Sequence, residues 1–143
     1  HPRDLFDVRD LLAHEGISDE LRRAFLVYLI SHNRPMAEVL APTRKPLAEE
    51  FARGFVGMTQ EPLALADLEA AREAIIAAMI ADMPDEHRHF LVSFKRGEPD
   101  WEHLCIPEAK HLPAILWKQR NLERLTAEKR HHLTDALEKV LFP

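Results

Sequence analysis

Apolar residues recur at helical spacing along most of the chain. In the first dozen residues, Leu5, Val8 and Leu12 stand at i, i+3 and i+7, which places them on one side of a helix. We predict that this helix covers residues 2–13 and ends before Gly16, because glycine is frequent just past a helix end. No segment alternates apolar and polar residues with a period of two between turn signals, so the pattern indicates no β-sheet.

The second helix is predicted to be the central one. Apolar residues surround it from Phe25 to Ile30, which is typical of a buried helix. Ser18, followed by two acidic residues, predicts its start, and the turn sequence His32-Asn33-Arg34-Pro35 predicts its end near Ser31. The apolar stripe that we expect to face the core consists of Leu21, Phe25, Tyr28 and Leu29.

Six further helical segments follow; the first is short, and the other five have an apolar stripe. We predict them at about 35–40, 47–58, 65–83, 85–96, 112–124 and 126–141, with Asp85 and Thr126 as N-caps and residues 59–62 as a linker. The stripe of 47–58 includes Met58, and the stripe of 112–124 includes Leu112 and Leu116. The predicted fold is all-α, an irregular array of six to eight packed helices.

Composition supports a helical globular protein. The 143 residues suit one domain, so we predict a single helical domain over 1–143. Only four glycines are present, and 46% of the residues are hydrophobic. The single cysteine, Cys105, excludes an intramolecular disulfide framework and fits a reducing compartment, so we expect a cytoplasmic protein. The longest apolar run is far shorter than the roughly 20 residues that span a bilayer, so we expect no membrane partner.

The net charge of −5 does not indicate a nucleic-acid binder, but the charge is unevenly distributed. Six lysines and arginines lie between positions 110 and 132, against two glutamates. Trp117, Arg120 and Arg124 stand at i, i+3 and i+7, with Lys118 beside them, and could bind RNA or triphosphate. The alternative, slightly favoured by the spacing, is that Trp117 belongs to the core and the cations form a solvated surface.

The first helix has the densest cluster of charged residues that could act in catalysis or bind a ligand. Arg3, Asp4 and Asp7 share one side of it, so the carboxylates could bind a divalent cation or act as a general base, and Arg3 could contact phosphate. The alternative is that the acids complement the helix dipole and that Arg3 pairs with Asp7. Spacing alone favours this structural interpretation.

Other motifs are weaker. The nine histidines do not have the spacing of a zinc site, and we expect Cys105 to be a packed small apolar residue. Arg9-x4-His14 and Arg124-x6-His131 resemble the Arg-x4–6-His signature of HEPN-type ribonucleases, with histidine as the base and arginine on the phosphate. A two-residue pattern is frequent by chance in a chain with this many arginines and histidines.

A longer resemblance begins at the first helix. Pro2-Arg3-Asp4-Leu5-Phe6-Asp7-Val8 resembles the Pro-Arg-Asp-x-x-Asp-hydrophobic segment of AbiEii/AbiGii-type nucleotidyltransferases, the toxins of bacterial abortive-infection and toxin–antitoxin systems. The segments Phe90-Leu91-x-Ser93, Gly97-Glu98-Pro99-Asp100-Trp101 and Leu112–Leu122 extend the similarity. The resemblance implies that this chain is the helical C-terminal part of a longer enzyme, whose N-terminal α/β domain carries a Gly-Ser loop and an Asp-x-Asp metal site.

The resemblance implies a role for the charged residues. Asp7, with Asp4 adjacent, would support catalysis beside the metal site, and Arg3 would bind substrate through a nucleotide phosphate. Lys118, Arg120 and Arg124, which charge and spacing group together, would bind substrate as a basic face for the acceptor nucleic acid. The implied reaction is Mg²⁺-dependent transfer of a nucleoside monophosphate from an NTP to an RNA acceptor such as tRNA. This chain has no metal-ligating or nucleotide-binding motif, so we expect it to be inactive alone and to bind no Mg²⁺ by itself. The alternatives are a non-catalytic module that binds a protein partner such as the antitoxin, and a HEPN-like ribonuclease.

Overall fold

The computed structural model describes residues 1–59 and 62–143. Within them the chain forms eight α-helices and no strand, which confirms the all-α prediction. The helices are α1 (Pro2–His14), α2 (Asp19–Ser31), α3 (Met36–Leu40), α4 (Ala48–Gly54), α5 (Leu65–Ile76), α6 (Asp85–Arg96), α7 (Pro113–Glu123) and α8 (Ala127–Leu141). A π turn at Ala77–Ala81 and 3₁₀ turns at Trp101–His103 and Pro107–His111 complete the described elements. None of the described helices is long and apolar enough to cross a membrane.

The helices form two compact units. Unit 1 contains His1–Ser18 and Thr43–Asp82, and unit 2 contains Asp19–Pro42 and Met83–Pro143. In unit 1, α1 packs against α5, and the buried residues include Phe55, Leu68 and Met79. The Phe55 ring lies between two others, 6.0 Å from the Phe6 ring of α1 and 5.5 Å from the Phe51 ring of α4.

Unit 2 is built around α6. Phe90, Leu91 and Phe94 of this helix are buried, and α8 packs against it. Trp101 closes this core from the following turn, with its ring 5.3 Å from that of Phe90. Arg88 donates to the backbone carbonyl oxygen of Leu141, which ties the start of α6 to the end of α8.

Local chemistry at the helix ends agrees with several predictions. Gly16, two residues after the end of α1, and Gly97, directly after α6, have φ of +70° and +93°, the left-handed region that glycine adopts readily. The Thr126 side chain accepts a hydrogen bond from the backbone N–H of Lys129 at 3.3 Å, so it is the N-cap of α8 as predicted. Asp85, by contrast, is the first residue of α6, and Pro84 is the cap.

Four apolar residues that were predicted to face the core are exposed instead. Tyr28 and Leu21 of α2 are 57% and 39% exposed, although Leu26, Leu29 and Ile30 are buried as expected for the central helix. Leu112 and Leu116 are also exposed, because α7 buries only the side that carries Ile115 and Leu122. Apolar spacing predicts the helices correctly but gives too wide a buried face.

The predicted helix 47–58 is shorter in the structure. It ends at Gly54, and the chain then turns through Gly57 at φ +84°. Met58 therefore leaves the stripe and is 58% exposed. The predicted linker at 59–62 includes Gln60 and Glu61, which lie outside the described residues.

Candidate functional site

The charged side of α1 carries Arg3, Asp4 and Asp7, all exposed. We call these three residues the α1 charged face. The helix places them together because positions three and four apart lie on one side, while its apolar side packs against α5. Asp4 Oδ2 lies 3.1 Å from the backbone nitrogen of His1. The sequence defines this face correctly, and the structure fixes its orientation within unit 1.

Arg3 and Asp7 do not form the i,i+4 ion pair that the structural interpretation required. No described residue makes an ion pair with the guanidinium of Arg3 or the carboxylate of Asp7. Both side chains extend into solvent from a packed helix. Charged groups arranged in this way are available to a ligand without first breaking an internal contact.

Arg9 differs from Arg3, since its guanidinium is already engaged. Its Nε and Nη2 atoms donate to Asp10 Oδ1 at 3.0 and 2.7 Å, and its Cζ lies 4.7 Å from the Phe6 ring centroid. His14 Nδ1 is 2.8 Å from the backbone carbonyl oxygen of Asp10. The two residues of the Arg9-x4-His14 motif therefore both contact Asp10 rather than a shared open site.

The described part of the chain contains no group of three or more His, Cys, Asp or Glu side chains that could hold a metal ion. The α1 charged face supplies two exposed carboxylates; Mg²⁺ is usually held by one or two carboxylates together with waters and substrate phosphates, so a site here would need further ligands from the substrate. Cys105 is exposed, not packed as predicted, and its thiol donates to the Glu102 carbonyl oxygen at 3.1 Å.

A second charged surface lies on α7 and its end, in unit 2. It consists of Trp117, Lys118, Arg120 and Arg124, and we call it the α7 basic face. Trp117 is 55% exposed, which corrects the interpretation that it belongs to the core. Lys118 Nζ lies 6.0 Å from the Trp117 ring centroid, and Arg120 and Arg124 are exposed. An exposed indole beside cations is suited to stacking on a base and contacting phosphate.

The structure places Lys118 at the same cavity as Lys95, a residue that the sequence analysis did not identify. Lys118 and Lys95 of α6 are half-buried and line one cavity. Burial lowers the pKa of both ammonium groups, and the positive charge of Lys118 lowers the pKa of Lys95 further. No sequence motif includes Lys95, because Lys118, which lines the same cavity, lies on a different helix.

His87 was missed for a similar reason. Its side chain is fully buried, and neither ring nitrogen has a hydrogen-bond partner among the described residues. Its Nε2 atom lies 4.0 Å from Asp19 Oδ1 at the start of α2. In the sequence, His87 is one of three closely spaced basic residues, and nothing there distinguishes it from the half-buried Arg88 or the exposed His89.

Within the described residues the structure is all-α, with an exposed Arg-Asp-x-x-Asp segment on α1 in unit 1 and a basic face on α7 in unit 2. A comparison with protein families matches residues 1–121 to the family described as nucleotidyl transferase AbiEii toxin, Type IV TA system. The chain belongs to this AbiEii family, which supports a nucleotidyltransferase-type role in a toxin–antitoxin system. No curated protein and no solved structure matches the chain.

Proposed function

We propose that this chain is the helical C-terminal part of a nucleotidyltransferase that transfers a nucleoside monophosphate from an NTP to an RNA acceptor such as tRNA. The observation that carries the proposal is the α1 charged face. Arg3 and Asp7 are exposed, have no ion-pair partner among the described residues, and stand on a helix that packing holds in place. The helix lies within the segment that matches the family.

In the proposed reaction, a hydroxyl oxygen of the RNA attacks the α-phosphorus of the NTP. The bond from this phosphorus to the bridging oxygen breaks, and pyrophosphate leaves. The carboxylate of Asp7 would take the proton of the attacking hydroxyl, with Asp4 beside it. Arg3 would contact a phosphate oxygen, since a guanidinium matches that geometry well. We propose that Mg²⁺ is held by carboxylates outside this chain and that the chain is inactive alone.

The α7 basic face would bind the acceptor. Trp117 offers an exposed ring for stacking, and Lys118, Arg120 and Arg124 offer positive charge to phosphates. The α1 charged face belongs to unit 1 and the α7 basic face to unit 2, so their roles can be tested by separate substitutions.

The test uses the full-length protein and measures incorporation of labelled nucleotide into tRNA. We expect Asp7→Asn to lower the rate by roughly 10²- to 10⁴-fold, the usual effect of removing a general base. Glu15→Gln changes an exposed acid just after the same helix and should keep the wild-type rate. Full activity of the Asp7→Asn protein would remove Asp7 from the catalytic site.

A second proposed function is binding of a protein partner, for which the family suggests the antitoxin. The observation that favours it is the pair of exposed leucines, Leu112 and Leu116, next to Trp117. Leu112 and Leu116 are four positions apart, and contiguous exposed apolar patches, unlike single exposed apolar residues, mark interaction surfaces. Leu116→Glu should abolish co-elution of the chain with the antitoxin in size-exclusion chromatography, whereas co-elution that survives this change would exclude this surface.

A further inference from the structure

A small cavity in unit 2 has positively charged walls. It encloses about 190 Å³ between α6, α7 and the residues that follow α2. Four basic side chains line it, His32, Arg34, Lys95 and Lys118, and no aspartate or glutamate is among the described residues that form its wall. Apolar residues such as Phe94 form the rest of the wall. The cavity is therefore suited to an anion rather than to a cation.

The two lysines are the unusual feature. Both are half-buried, and neither makes an ion pair with a carboxylate in the part of the chain that the structure describes. Arg34 differs, since its Nη2 lies 3.8 Å from Glu38 Oε2. Removing two like charges from water and placing them on one cavity costs free energy, which an anion between them would offset. Burial lowers the pKa of both groups, in agreement with this cost.

We propose that Lys95 and Lys118 form a binding site for a single phosphate group. A phosphate group offers several strong acceptor oxygens and can contact both ammonium groups at once. A volume of about 190 Å³ lies below the range of roughly 300–1,000 Å³ in which whole drug-sized ligands bind. The cavity therefore has room for one phosphate group, and the rest of any larger ligand would lie outside it.

The phosphate has two possible sources, free phosphate and a phosphodiester of RNA. The RNA source rests on the proposed function, because Lys118 also belongs to the α7 basic face. The phosphate site itself is independent of that function, since it is defined by the cavity and its two lysines. Lys95 extends the site from α7 onto α6.

A competing explanation is that the lysines stabilise the end of α2. Ile30 and His32, which flank the last residue of α2, also line the cavity, and the carbonyl end of a helix attracts cations. In that case, replacing either lysine would destabilise the protein, and phosphate would have no effect on it. The two explanations therefore differ in the response to phosphate.

The first experiment titrates the 143-residue chain with inorganic phosphate at constant ionic strength and follows the binding by NMR. We expect shifts at Lys95 and Lys118, and a loss of affinity of about tenfold or more in Lys95→Gln and in Lys118→Gln. Lys129→Gln is the matched control, since Lys129 is exposed on α8 and does not line the cavity. Equal binding by wild type and both cavity variants, or no shift in wild type, would overturn the proposal.

Thermal unfolding gives a second readout. Phosphate should raise the melting temperature of the wild type but not of the Lys95→Gln protein, because a ligand that binds the folded state stabilises it. A lower melting temperature of Lys95→Gln together with no phosphate effect on the wild type would instead establish the helix-end role.

A short oligoribonucleotide then identifies the source. If it binds at least tenfold more tightly than phosphate and Lys95→Gln removes that gain, the site takes an RNA phosphodiester. If it binds no more tightly, the site takes free phosphate. In the full-length protein, loss of RNA binding in Lys95→Gln would support the phosphate site at Lys95 and Lys118. Unchanged activity of Asp7→Asn in the same protein would reject only the proposed catalytic role of α1.

Discussion

A buried histidine, His87, should make the stability of unit 2 depend on pH. His87 is fully buried at the start of α6, and no described residue hydrogen-bonds its ring nitrogens. Burial lowers its pKa, and the nearby charges of Arg23 and Arg22 lower it as well. Asp19 and Glu86 act in the opposite direction but do not compensate for the burial.

We expect the free energy of unfolding to decrease as the pH falls below about 6.5, the ordinary pKa of histidine. The unfolded state, in which His87 has that ordinary pKa, binds a proton more readily than the folded state, so acid favours unfolding. The loss continues down to the lowered pKa of folded His87, with a slope of at most about 1.4 kcal/mol per pH unit from this group. Urea denaturation at several pH values measures how the free energy of unfolding changes with pH.

His87→Leu is the informative variant. It replaces an unbonded buried imidazole by an apolar side chain, so this part of the pH dependence should disappear. His111→Gln changes an exposed histidine and serves as the control that keeps the wild-type slope. An unchanged slope in His87→Leu would show that another group causes the pH dependence.

The two cavity lysines, Lys95 and Lys118, give a second prediction about single residues. We expect the ammonium group of Lys95 to titrate below the ordinary lysine value of about 10.4. Because the charge of Lys118 contributes to this effect, Lys118→Gln should raise the pKa of Lys95. NMR of ¹³C-methylated lysines measures both values, and Lys110→Gln is the control. A Lys95 pKa that Lys118→Gln leaves unchanged would contradict the proximity of the two side chains.

Helices were easier to predict than the faces they bury. Apolar spacing gave all eight, and cap residues such as Gly97 and Thr126 gave several ends. The same spacing failed for Tyr28, because periodicity states which residues share a side but not which neighbouring helix covers it. It failed for Met58 because the helix ends earlier, at Gly54. The π turn after α5 leaves no signal in an alanine-rich run, where an extra residue per turn does not disturb the apolar pattern.

The candidate site was predictable only in part. The α1 charged face depends on residues within one helix, so sequence spacing was sufficient to group Arg3, Asp4 and Asp7. The Lys95–Lys118 cavity depends on two helices that are distant in the chain, and no local pattern reports such a contact. Spacing also suggested an Arg3–Asp7 ion pair that the structure does not form.

For a single helix, the N-cap of α8 allows a prediction about stability. Thr126→Ala removes the side-chain acceptor for the Lys129 N–H, so we expect the free energy of unfolding to fall by about 1 kcal/mol. Thr126→Ser keeps a hydroxyl at this position and should retain most of the stability. Chemical denaturation of the two variants measures the difference, and equal stability of Thr126→Ala and wild type would show that the cap contributes nothing.

At the scale of the whole molecule, the net charge of −5 is not shared between the units. Unit 1 has six lysines and arginines against eleven acidic residues, and unit 2 has thirteen of each. The entire excess of negative charge therefore lies in the unit that carries the α1 charged face. The α7 basic face stands in a unit without net charge, where its cations are not outweighed by acids.

This distribution leads to a prediction for RNA binding, which rests on the proposed function. If Lys118, Arg120 and Arg124 each contact one phosphate of a single strand, the logarithm of the affinity should fall with the logarithm of salt concentration at a slope of about −2. Arg120→Gln should reduce the steepness by roughly 0.7, one phosphate contact. Arg53→Gln changes an exposed arginine of α4 in unit 1 and should leave the slope as it is. Fluorescence anisotropy with a labelled oligoribonucleotide measures all three, and equal slopes for wild type and Arg120→Gln would move the RNA contact away from α7.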